Sequence, residues 1–220
     1  MMSRERRAAA REARSGAGPV GAEFEAGPYP GATAKFGLFG EVLTVGLLIA
    51  VVSLGVVTLP MALAAGIRHL RRFAAAEDSR ITLFWSDVRS GLVSSLVVGV
   101  PAVLIAAVLA VDVALAGSGV LPGAAPVTVI GWAGLVAVAT ALLLAAGAWT
   151  PETGWPAAVR EVPLIVRADA VGAAFIASAA VFVGVVTWAL IPLFIPAVGC
   201  AALAVVAVPA RRRRGATRAG

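Results

Sequence analysis

Two stretches of this chain, residues 113–151 and 170–210, contain no Asp, Glu, Lys or Arg. The second is 41 residues long, which as helix would extend roughly 60 Å against a hydrocarbon core of about 30 Å. A run of that length must cross a bilayer, turn and return. Between the apolar runs lie Arg-rich segments, and that alternation predicts an all-α fold: a polytopic transmembrane helix bundle.

Composition agrees with this reading. Only 14% of the 220 residues are charged and 60% are hydrophobic, whereas a soluble domain carries nearer a quarter charged residues. The net charge of +6 comes from 17 Arg and one Lys against 12 acids. In a soluble protein such an excess would suggest nucleic acid. Here the Arg residues flank apolar runs, where they set orientation and meet lipid headgroups, so no nucleic acid is expected. The expected partners are membrane lipids, with transporter permease subunits or a second copy of the chain as protein partners.

The apolar run from Phe36 to Ile67 is long for one helix. Gly55, Thr58 and Pro60 signal a break within it, because Gly is a poor helix-interior residue, Thr caps helix starts and Pro is tolerated in a first turn. The predicted spans are therefore about 38–54, 58–75, 91–115, 127–149, 169–190 and 194–209. Six helices are expected, with five as the alternative if 36–67 stays continuous. Residues 81–90 place Leu83, Phe84, Asp87 and Val88 at helical spacing and predict a short amphipathic helix at the interface, with Ser79 able to cap it. Residues 116–127 are a Gly/Pro-rich loop. Pro151, Pro156 and Pro163 predict an irregular polar connection over 150–169. Pro192 and Pro196 place the last turn. Residues 1–35 read as a disordered Arg/Ala/Gly-rich tail without a cleavable signal peptide, 36–210 as the transmembrane domain and 211–220 as a basic tail.

Positive charge fixes the expected orientation. Residues 68–90 and the C-terminal segment each carry five Arg, whereas 116–127 and 191–196 carry none. By the positive-inside rule the Arg-rich segments and both termini are cytoplasmic, in the plasma (inner) membrane. Trp132 and Trp188 then fall near the outer boundary, and Trp85, Trp149 and Trp155 near the inner one, as an interfacial belt.

Few residues offer chemistry. Asp112 is the one acid deep in a predicted span. Intramembrane acids default to a functional hypothesis, although Asp112 lies close to its span's end, where hydration is cheaper. Glu41 suits a helix N-terminus through the macrodipole. His69, the only histidine, stands among Arg68, Arg71 and Arg72 and reads as a solvated interface residue. Arg68, Arg71, Arg72, Trp85, Asp87 and Arg89 are candidate partner or lipid contacts on a solvated face. Cys200 is the only cysteine, so no intramolecular disulfide is possible. No catalytic residue, metal ligand set or cofactor-binding residue is expected, and the chain does not read as an enzyme. Small residues recur in the fifth span as Ala170–Ala174–Ser178 and Ala173–Ala177, a spacing that lets helices approach closely in lipid.

The segment Gly37-Leu-Phe-Gly-Glu-Val-Leu-Thr-Val-Gly-Leu-Leu resembles the YesL family of small bacterial integral membrane proteins. So do Ser53-Leu-Gly-Val-Val-Thr-Leu-Pro, Ala62-Leu-Ala-Ala-Gly-Ile-Arg-His-Leu-Arg-Arg and Leu83-Phe-Trp-Ser-Asp-Val-Arg-Ser-Gly-Leu. The chain departs at Gly55, where the family often has Pro, and in its longer N-terminal tail. The family has no assigned biochemical activity and no catalytic residues to carry over. Its members often occur beside carbohydrate ABC-transporter components, so the resemblance implies an accessory or scaffold role in sugar uptake. The alternative expectation is a small self-associating transporter or channel with Asp112 near the path.

Overall fold

A computed structural model describes residues 35–118 and 124–218. The expected tail, residues 1–34 above all, and the centre of the Gly/Pro loop lie outside the described residues. Seven α-helices follow in order: α1 (Lys35–Val52), α2 (Leu59–Ala74), α3 (Ile81–Gly117), α4 (Ala124–Ala148), α5 (Gly154–Ala168), α6 (Ala170–Ala189) and α7 (Phe194–Arg218). Short 3-10 turns at Ser53–Gly55 and Ile191–Leu193 join α1 to α2 and α6 to α7.

Among the described residues, five stretches are long and apolar enough to cross a membrane: Phe36–Gly55, Ile81–Gly117, Ala124–Ala148, Ala170–Ala189 and Ile191–Pro209. The chain is a multi-pass helical membrane protein. The first apolar run breaks where Gly55, Thr58 and Pro60 placed the break, but α2 has only 16 residues and carries Arg68, Arg71 and Arg72. At about 1.5 Å per residue it is roughly 24 Å long, and it is held inside the bundle. Pro60 to Ile67 are all buried, as are His69, Leu70 and Ala74.

The break is tighter than a simple loop. Val57 N–H bonds to the Gly55 carbonyl across Val56, whose φ of 46° and ψ of −54° describe a γ-turn of the strained hand. Thr58 occupies the N-cap position of α2 without capping it. Its hydroxyl donates backward to the Val52 carbonyl at the end of α1.

Small residues set the helix spacing. Glycine at 91 and 99 and serine at 95 form a stripe on α3 at four-residue intervals. All three are buried. A methyl group on Gly91 would strike the Met61 sulfur and the Trp149 ring, and one on Gly99 would strike the Val57 carbonyl. α2 therefore lies against α3 with its backbone close, running antiparallel to it. α1 and α7 pair in the same way: Gly46 faces the Ile195 carbonyl and Gly199 faces the Val42 carbonyl. In lipid, where apolar burial gives little drive, such close contact is a main source of helix affinity.

α3 is the longest element, 37 residues or roughly 55 Å. The expected interfacial helix is its first ten residues, continuous with the span, and its N-cap is Arg80 rather than Ser79. In its far half, Leu109 and Val113 pack over Gly131 and Gly134 of α4, while Leu104, Ile105, Val108 and Val111 face outward.

The connection 150–169 is not irregular. It contains α5, a 15-residue helix. Pro156 falls in its first turn, where an N–H would have no helical partner. Only Pro163 removes an interior bond, and burial of Trp155 and Ala158 with packing of Val162 and Ile165 on the core offsets that loss. α7 continues without interruption through the Arg run to Arg218.

Candidate functional site

The charged residues of α2 divide among three neighbours because successive helix positions turn by about 100°. Arg68 and Arg72, four apart, share one face and meet Asp87 of α3. Arg72 Nη1 lies 2.9 Å and Arg68 Nε 3.3 Å from Asp87 Oδ2. The Arg68 contact is a hydrogen bond, while the Arg72 contact is an ion pair without hydrogen-bond alignment at Nη1. The Asp87 side chain is only 8% exposed. Arg71 points toward α4 and donates from Nη2 to the Gly147 carbonyl at 3.0 Å. His69 turns toward α1, where its Nε2 meets Glu41 Oε1.

Three sequence expectations change here. His69 is 2% exposed and is a core residue paired with a carboxylate, not a solvated one. Its Arg neighbours in sequence face other helices. Asp87 is buried between two guanidiniums rather than lying on a solvated face. Glu41 lies beyond the first turn of α1, so it acts through its contact with His69 and not through the helix end.

The tryptophans also separate into two kinds. Trp149 and Trp155 are 1% and 0% exposed, with ring centroids 6.0 Å apart. They belong to the core beneath the charged knot and not to an interfacial belt. The Arg68 guanidinium carbon lies 5.6 Å from the Trp149 ring centroid, within range of a cation–π contact. Neither indole N–H has a partner among the described residues. Trp132 and Trp188 remain exposed and line one apolar groove between α4 and α6. Trp85 packs edge-on against the buried Phe84 at 5.5 Å. Arg89 is exposed, with no partner among the described residues.

The rim of this end is more ordinary. Asp78 bonds Arg80 at 2.7 Å, and the guanidinium holds its carboxyl below the usual range. A hydrogen bond from Thr150 holds the Glu152 carboxyl low, with Arg68 adding to the effect. A cavity of about 360 Å³ opens between α4, α5, α6 and α7 beside Arg71.

Asp112 lies on the same helix as Asp87, about 37 Å further along at 1.5 Å per residue. It is half-buried and has no hydrogen-bond or ion-pair partner among the described residues. The structure thus keeps it apart from the charged knot. Of the two small-residue stripes on α6, Ala173 is buried, whereas Ala170, Ala174 and Ser178 face outward. Cys200 is an exposed free thiol on α7. Among the described residues, no three His, Cys, Asp or Glu side chains gather as a metal site.

Chemically, the knot is a lock. Its contacts tie α1, α2, α3 and α4 together at one end. Compared with protein-family models, curated proteins and solved structures, the chain matches none of them.

Proposed function

We propose that this membrane protein performs no chemistry of its own and serves as an accessory or scaffold subunit of a carbohydrate ABC-type uptake system. In this reading it lies in the plasma membrane with both termini in the cytoplasm. The observation that carries the proposal is the inward pairing of its polar groups. Arg68, Arg72 and Asp87 bind one another, His69 binds Glu41 and Arg71 binds the α4 backbone. These groups build a rigid end and leave little polarity for a substrate. The resemblance to the YesL family supplies the partner class.

Contacts with a partner then fall to the exposed charges outside the knot, Arg89, Arg160 and Glu161, and not to the arginines engaged within it. The test is mild-detergent purification of the tagged full chain from native membranes, followed by quantitative proteomics. Sugar-permease subunits should be enriched, and Arg89→Glu combined with Arg160→Glu should deplete them. Recovery of the chain alone, or enrichment indifferent to those charges, rejects the reading.

Asp112 supports a second reading. A half-buried carboxylate on a membrane helix suggests an ion or solute path. Proteoliposomes containing the protein would then show flux that Asp112→Asn abolishes, and flux insensitive to the substitution would remove Asp112 from any path.

A further inference from the structure

We propose that the groove between α4 and α6 seats a fused-ring lipid, a neutral amphiphile built on a rigid polycyclic plate, in the leaflet opposite the charged end of the bundle. The inference is independent of the uptake reading.

Depth places the groove within one leaflet. Gly147 and Gly172 mark the charged end, where the Gly147 carbonyl accepts from Arg71 and Gly172 N–H bonds the Asp169 side chain. At 1.5 Å per residue, Trp132 stands about 22 Å along α4 from Gly147, and Trp188 about 24 Å along α6 from Gly172. The other end of the groove, at Ala139 and Ala180, is about 12 Å from the same level. Against a hydrocarbon core of about 30 Å, the groove runs from near the bilayer centre to near the far boundary. Both indoles stand on its headgroup side, where Trp is favoured.

The section of the groove selects among occupants. Its volume is about 590 Å³. Over a length of about 12 Å that is a slot of roughly 50 Å² in section. One alkyl chain, whose carbons meet their neighbours at about 4 Å, would fill less than half of it. A helix with its side chains, about 10–12 Å across, is too thick to enter, which sets aside a helix of a second copy. A fused-ring plate is wide and thin. Ala139, Ala180 and Gly184 offer it small side chains as a floor, and Val136 and Val185 flank them. A rigid plate also loses little freedom on binding, whereas two flexible chains filling the same width would each be ordered.

The chemistry of the lining selects a neutral polar end. Among the described residues, no Asp, Glu, Lys, Arg or His lines the groove. Its side-chain polar atoms are the indole nitrogens of Trp132 and Trp188, residues 57% and 89% exposed. An indole N–H donates and does not accept. With no cation in the lining, the mouth favours an uncharged oxygen over a phosphate or an ammonium, and the indoles add broad, rigid apolar surface. Exposed apolar side chains are ordinary on a lipid-facing surface, but a concave one bordered by two indoles is not.

The test reconstitutes the full chain in phosphatidylcholine vesicles and reads tryptophan fluorescence, which bromine quenches on contact. Dibrominated cholestanol is compared with phosphatidylcholine brominated on its acyl chains, at matched bromine content. The sterol should quench about fivefold more strongly, a modest preference in affinity, and unbrominated cholestanol should reverse the effect. Gly184 has open space where its Cβ would stand, so Gly184→Leu enters the slot without a clash and should bring the sterol down to the acyl-lipid value. Trp132→Phe combined with Trp188→Phe leaves Trp85, Trp149 and Trp155 and should abolish the sterol's excess. That double variant decides if Gly184→Leu unfolds. Equal quenching by the two probes, or an excess that survives either variant in folded protein, overturns the proposal. Shielding of both indoles from both probes in a cross-linked dimer also overturns it, because a second copy would then cover the groove.

Discussion

Glu41 on α1 and His69 on α2 form a carboxylate–imidazole pair that fastens the first two helices at the charged end of the bundle. The imidazole is almost wholly buried and the carboxylate about a quarter exposed, so the pair is stabilising chiefly through what its loss would strand. Glu41→Ala leaves His69 without its carboxylate and should destabilise by about 1–3 kcal/mol. Glu41→Gln keeps a hydrogen-bonding side chain and should lose less. Thermal unfolding in a fixed detergent compares the two. Equal losses would mean that the contact contributes packing and no polar interaction.

Asp87 serves two guanidiniums, and among the described residues each of them has Asp87 as its ion-pair partner. The knot is therefore asymmetric. Asp87→Ala leaves two partly buried cations without their carboxylate and should cost up to about 3–5 kcal/mol. Arg68→Ala leaves the Arg72–Asp87 pair in place and should cost less, including about 0.5–2 kcal/mol for the lost contact with Trp149. Reversal of that order in SDS-titration unfolding would show that Arg68, and not Asp87, anchors this end.

The pairing of α1 with α7 depends on two missing side chains. Gly46→Ala or Gly199→Ala would drive a methyl into a backbone carbonyl and should cost about 1–3 kcal/mol through forced separation. Gly40 has open space where its Cβ would stand, so Gly40→Ala on the same helix should be neutral or slightly stabilising. Detergent-melt midpoints of the three variants would check this. A similar loss at Gly40 would point to helix flexibility as the cause.

Val56 holds a conformation that β-branched residues rarely adopt, with φ at 46°. Val56→Gly should relieve strain of about 1–3 kcal/mol, less about 0.5–1 kcal/mol for glycine's added freedom. The expected result is a small rise in melting temperature. Val56→Pro fixes φ near −65° and should be strongly destabilising. A fall for Val56→Gly would locate the turn's stability in the Val56 side chain.

Much of this architecture is legible in the sequence, for identifiable reasons. The charge-free runs give the spans because bilayer thickness leaves no other arrangement. The break before α2 is legible because Gly55 and Pro60 each disfavour helix for their own steric reason. The direction in which Thr58 bonds is not legible, since one hydroxyl serves equally to cap α2 or to terminate α1. α5 is obscured by counting prolines without placing them, as Pro156 is harmless in a first turn. The charged knot is hidden because adjacent residues in a helix look alike in sequence and opposite in space. His69 stands between Arg68 and Leu70, yet its partner is Glu41. A four-residue spacing between Arg68 and Arg72 was visible, but only the small stripe at Gly91, Ser95 and Gly99 could say which helix they meet.

The close pairing of α1 with α7 has a consequence for biogenesis. Among the described helices these are the first and the last in chain order, so Gly46 and Gly199 cannot meet until the helices between them have been made. Until then α1 must wait in the lipid with its α7-facing groove empty. Contacts that distant in sequence form late and slowly. The nascent protein is thus most open to quality-control proteases before α7 arrives, and truncation within the last span should shorten cellular lifetime more than its small loss of mass suggests.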